Sequence, residues 1–170
     1  MQAAVRFVVT GEWTRNRLLK TIVLCFLVYT ALLWASNAAL YFSKMSLNPD
    51  SVVSYYLGDP ATFRQPRSML GLLEVLHFHS FAMGILLLTL THLMLFVPLS
   101  LKIKAWGIAL SFGAGLANEA AGWGVRFVHP GFAWAKVFSF LLLETTILCL
   151  MLLVARALLF NTPSDYNGDT

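Results

Sequence analysis

The chain has 170 residues, 58% of them hydrophobic and 12% charged, with a net charge of +4. Soluble domains carry roughly 25% charged residues, and half that share cannot coat a water-facing surface of this size. Lipid is therefore the expected solvent, and the positive balance reads as the flanks of membrane helices, with no run of Lys and Arg interleaved with aromatics to suit nucleic acid.

In chain order, Met1 to Arg17 is a cytoplasmic or interfacial segment carrying Arg6, Glu12, Trp13, Arg15 and Arg17. Four apolar stretches follow, roughly Leu18 to Phe42, Met69 to Leu99, Ala105 to Val128 and Phe132 to Phe160. Each reaches the ~20 residues a helix needs to cross the hydrocarbon core. The first is too long for a signal-peptide core and is expected to be retained. The expected fold is all-α, an integral membrane four-helix bundle with a short extramembrane loop between the first two spans. That loop, Ser43 to Ser68, has turn signals at Asn48-Pro49-Asp50 and Gly58-Asp59-Pro60, and Ser51 to Leu57 suits a short surface helix between them. Ser100 to Lys104 reads as a tight turn, and the tail from Asn161 as disordered. Cys25 and Cys149 lie in apolar runs and are expected to be buried and inert.

Lys and Arg near the span ends orient the chain. With both termini cytoplasmic, that side holds Arg6, Arg15, Arg17, Lys20, Lys102, Lys104 and Arg156, against Lys44, Arg64, Arg67, Arg126 and Lys136 outside. A bacterial inner membrane is the expected location.

The second span carries Glu74, His77, His79 and His92. Ionisable groups inside a span are functional candidates, because burying them in lipid is costly. With His77 set at 0°, Glu74 and His92 fall at about 60°, Gly84 at about −20° and Thr91 at about −40°, since a helix turns about 100° per residue. This polar and small stripe is expected to face the bundle interior. His79 falls at about 200°, among Met83, Leu86 and Leu90, so His77 and His79 do not aim at one site. Glu119 and Arg126 share a face of the third span with Gly115 and Gly122, and the fourth carries Lys136 and Glu144.

Imidazole is a standard axial ligand of haem iron. His77 and His92 lie about 22 Å apart along the helix, the separation of two haems stacked across a bilayer. His77, His79 and His129 are the candidate ligands of one haem b and His92 of a second. Arg64, Arg67, Arg126 and Lys136 are placed to pair with propionates. Glu74, Glu119 and Glu144 would orient histidines or move protons. On four spans, three histidines in one span and basic residues outside, the chain resembles small four-helix membrane cytochromes b, the quinone-linked subunits of respiratory complexes. The resemblance implies electron transfer between the quinone pool and an outer partner such as a c-type cytochrome. It departs from the family in that only His129 lies off the second span, so an inner haem on His92 needs Met, another axial group or a second subunit, and a homodimer is a further expected partner.

Three other readings stay open. Glu74 and His77 have the Glu-x-x-His spacing of di-iron bundles, with Glu119 and Glu144 as further ligands, and His77-x-His79 suits copper. His and Glu together suit a quinone pocket or proton relay. In the rival from another class, a non-redox scaffold or assembly subunit, the polar residues only hold helices together. Ser80 and Ser111 have no triad context, and neither a phosphate-binding loop nor a dinucleotide fingerprint is present.

Overall fold

The computed structural model describes residues 17–160, which form an all-α bundle of apolar helices. The N-terminal segment before Arg17 and the tail after Phe160 lie outside the described residues. Helix α1 runs Arg17–Lys44, α2 Pro49–Leu57, α3 Met69–Met94, α4 Leu101–Phe127 and α5 Phe132–Phe160. Among them α1, α3 and α5 are long and apolar enough to cross a membrane on length and composition. α4 is as long, at 27 residues, but Lys102, Lys104, Asn118, Glu119 and Arg126 make it more polar.

α5 is the hub. Half of its most apolar stretch is buried, against 17% for α1 and for α3. It forms the most extensive pair with α4, and both α1 and α3 pack on it. The core it organises joins Val23 and Leu27 of α1, Leu86, Leu87, Leu90 and Met94 of α3, Ala114 of α4, and Leu143, Ile147, Leu150 and Val154 of α5. Small residues allow the close approaches. A Cβ at Gly122 would lie 2.6 Å from the Tyr56 hydroxyl, and one at Gly124 would lie 2.6 Å from the Phe132 ring. Small residues set helix spacing in this way wherever no hydrophobic drive operates between helices.

The loop between α1 and α3 folds onto one end of the bundle. Asn48 accepts from the Asp50 amide at 3.0 Å, and Pro49 takes the first helical position, so α2 starts sharply. Gly58 stops it at φ +86°, and a Cβ there would meet the Arg64 carbonyl oxygen at 2.6 Å. Asp59 then caps a 3-10 turn over Pro60–Thr62 and exchanges backbone hydrogen bonds with Arg64. The expected surface helix is better described as a wedge. Val52 is fully buried and Tyr56 nearly so, in a second cluster with Leu72, Val125, Ala133 and Val137.

Two boundaries differ from the sequence reading. α3 stops at Met94, where the following amides turn back to carbonyls three residues earlier ahead of Pro98. α4 begins at Leu101, capped by Ser100, so Lys102 and Lys104 belong to its first turn, and Lys104 Nζ donates to the Leu95 carbonyl at 2.7 Å. Cys25 and Cys149 are free and exposed on the outside of the helices rather than buried.

Candidate functional site

The rotation of α3 decides where its polar residues go. Its buried side chains are Leu72, Leu86, Leu87, Leu90, Thr91 and Met94, and most of them cluster opposite His77. Glu74, His77 and His92 are exposed, on one stripe with Phe81, Ile85 and Leu88. Of the stripe expected to face the interior, Glu74, His77 and His92 therefore face outward, while Thr91 at its edge is buried. His79, on the opposite side, is the histidine that enters the bundle, where its Nδ1 lies 3.0 Å from Glu119 Oε1.

That pair borders a cavity of about 140 Å³ at the α2 end, to which all five helices contribute. Asn37 and Tyr41 come from α1, Tyr56 from α2, His79 from α3, Asn118 and Glu119 from α4, and Lys136 from α5. Lys136 is buried and its Nζ donates to the Asn118 carbonyl at 2.8 Å. The side-chain oxygen of Asn118 is buried and has no hydrogen-bond partner among the described residues. In α2, burial pushes the Tyr56 phenol above its ordinary range, helped by Tyr55, Glu119 and Tyr41 and opposed by Arg67.

Deeper along α5, Glu144 Oε1 accepts from Asn37 Nδ2 at 2.5 Å, and the Glu144 carbonyl accepts from Trp34 Nε1 at 3.0 Å. Trp34 and Asn37 are three apart on α1, so helical spacing alone puts them on one face. That spacing was the signal for this contact, and the sequence reading missed it. It missed Tyr56 as well, the second apolar anchor four residues after Val52.

The basic residues scatter. Arg67 lies over the Tyr55 ring at 4.1 Å, Arg126 Nε donates to the Arg67 carbonyl at 2.8 Å, and Arg64 is exposed. The other histidines have separate neighbours. His77 sits edge-on to Phe78 with ring centroids 5.8 Å apart. His92 sits edge-on to Phe96 at 5.5 Å. His129, exposed in the α4–α5 turn, accepts at Nδ1 from the Gly131 amide.

Residues 46–165 match the Aq_1264_TM family, a transmembrane helical domain. The chain belongs to that family. No curated protein and no solved structure is significantly similar to it.

These findings correct the redox reading. Among the described residues no three His, Cys, Asp or Glu side chains gather as a metal site. The expected haem b ligands His77, His79, His92 and His129 have four different neighbours, and His77 and His79 leave opposite sides of α3. Glu74 and His77 are outside while Glu119 and Glu144 bond elsewhere, so neither the di-iron set nor the copper pair is assembled. With the haem go the readings that depended on it: a cytochrome b of a respiratory complex, an oxidoreductase subunit, and exchange with quinone or a c-type cytochrome. Arg64, Arg67, Arg126 and Lys136 lose their assignment to propionates.

Proposed function

We propose that the chain is a non-redox scaffold subunit of a larger membrane complex, with α1, α3, α4 and α5 crossing a bacterial inner membrane and both termini in the cytoplasm. Inside the bundle the polar groups act in pairs between helices: Asn37 with Glu144, His79 with Glu119, Lys136 with Asn118. They join α1 to α5, α3 to α4 and α4 to α5, which is what a structural subunit requires.

The outward face of α3 is the observation that carries the assembly role. Glu74 and His77 lie about 8 and 12 Å from the start of α3, given 1.5 Å of rise per residue. At 12 Å His77 is too deep for a short side chain to reach water as Lys or Arg does, and Glu74 stands beside it at the edge of the hydrocarbon. An ionisable group exposed to hydrocarbon costs about 2.5–3.5 kcal/mol on insertion scales, so a second helix covers them. His92 is two residues from the end of α3 and reaches the interface unaided. A second copy of this chain, related by a two-fold axis along the membrane normal, sets Glu74 within about 4.5 Å of the depth of the partner's His77.

The test is the mass of the protein in native lipid nanodiscs, by light scattering. The wild-type chain should form an assembly heavier than one 18.9 kDa polypeptide. Glu74→Leu combined with His77→Leu should release a monomer of unchanged helicity. A wild-type monomer in its native lipid would overturn the reading.

A further inference from the structure

We infer that the cavity at the α2 end is a binding site for the anionic head of an acyl lipid, entering sideways between α1 and α3. This goes beyond the scaffold role and does not depend on it.

Shape comes first. About 140 Å³ compares with roughly 30 Å³ for a water in the liquid, so a phosphate or carboxylate with a few carbons fits and an acyl chain does not. The chain of the ligand must leave through the wall. α1 and α3 each lean on α5, and neither packs extensively on the other. Leu40 of α1 and Val75 of α3 both line the cavity, yet they are 53% and 45% exposed. They mark an apolar mouth. Leu40 is about 6 Å from the end of α1 and Val75 about 9 Å from the start of α3. At that depth the polar headgroup layer gives way to hydrocarbon.

Charge comes second. An ammonium has three N–H donors, and Lys136 directs one to the Asn118 carbonyl. The cavity lining sets two ammonium groups, Lys136 and Lys44, against one carboxylate, that of Glu119, and so carries a formal excess of positive charge. The complement is a head of net negative charge, bound to Lys136 by charge-assisted hydrogen bonds. The buried, unpartnered Asn118 Oδ1 asks in addition for a donor, such as a hydroxyl. A choline head offers neither net negative charge nor a donor.

The site can be tested on the full chain in dodecyl maltoside, titrated separately with dioleoylphosphatidylglycerol, oleate and dioleoylphosphatidylcholine. Melting temperature is one readout. Quenching by dibrominated versions of each lipid is the other, since Trp123 lines the cavity. At least one anionic lipid should act saturably, at about tenfold lower concentration than the choline lipid. Action of phosphatidylglycerol alone identifies a phosphate head, and action of oleate alone a free carboxylate. Val75→Phe, which plugs the mouth from an exposed position without adding a tryptophan, should remove the response without changing the melting temperature in detergent. Lys136→Met should remove it too. Equal responses to all three lipids, or a wild-type response from both variants, would overturn the assignment.

Discussion

Asn37 meets Glu144 across 107 residues of chain, and the second carboxyl oxygen is buried with no partner among the described residues. Removing the amide therefore strands the whole carboxyl group. Asn37→Leu should cost about 1 kcal/mol, the scale measured for side-chain hydrogen bonds between membrane helices. The Asn37→Leu, Glu144→Leu pair should cost less than the sum of the single changes, read from unfolding equilibria in mixed detergent. Tyr56 gives a pH dependence. Its phenol holds its proton to higher pH than in the unfolded chain, where the ordinary value is 10.0. Above that pH the unfolded state loses the proton first, the folded state binds more protons, and stability falls as pH rises. Tyr56→Phe should flatten that alkaline loss in melting curves taken between about pH 9 and 11. Residue chemistry was partly legible in the sequence. Charges within apolar runs announced themselves, and Glu119, Lys136 and Glu144 do contact neighbouring helices. Their partners were not legible, because a carboxylate signals that it needs a donor without saying which one.

At the scale of elements, α2 is held by what lies beneath and after it. Gly122→Val would drive two methyl groups into Tyr56, already 2.6 Å from a Cβ at that position. Gly58→Ala would force a strained positive φ and press on the Arg64 carbonyl, which is backbone and does not yield. Either change should lift α2 from the bundle, seen as faster proteolysis within residues 43–68 while the long helices stay protected. Helix existence was legible from apolar length. The rotation of α3 was not legible. Angle arithmetic grouped Glu74, His77 and His92 correctly, then assigned them the interior by analogy with polar sites. Between lipid and a helix interior there is no hydrophobic contrast. The fit of Leu86, Leu87 and Leu90 against their neighbours chose the buried face instead.

For the whole molecule, the arrangement is one buried helix, α5, with a paired α4 and two flanking helices that expose most of their surface. With the four crossings proposed above, both termini lie on one side. Reporter fusions at residues 17, 65, 102 and 160 should report cytoplasm, exterior, cytoplasm and cytoplasm. An external signal at residue 102 would remove α3 or its proposed direction. Membrane character was legible from composition alone, because too few charges are present to solvate the chain. The ligands of the molecule were not, because histidine spacing along one helix says nothing of what the facing helices supply.

The Asn37 to Glu144 contact also sets a timetable. α1 leaves the ribosome first and α5 last, and translation adds about 5–20 residues per second. For roughly 5–20 seconds the amide of Asn37 sits in the bilayer, or in the insertion machinery, before its carboxylate partner is made. During that interval the α5 contacts that hold α1 are still missing, so a chaperoning helix or a neighbouring subunit has its opportunity then, before α5 arrives to close the bundle.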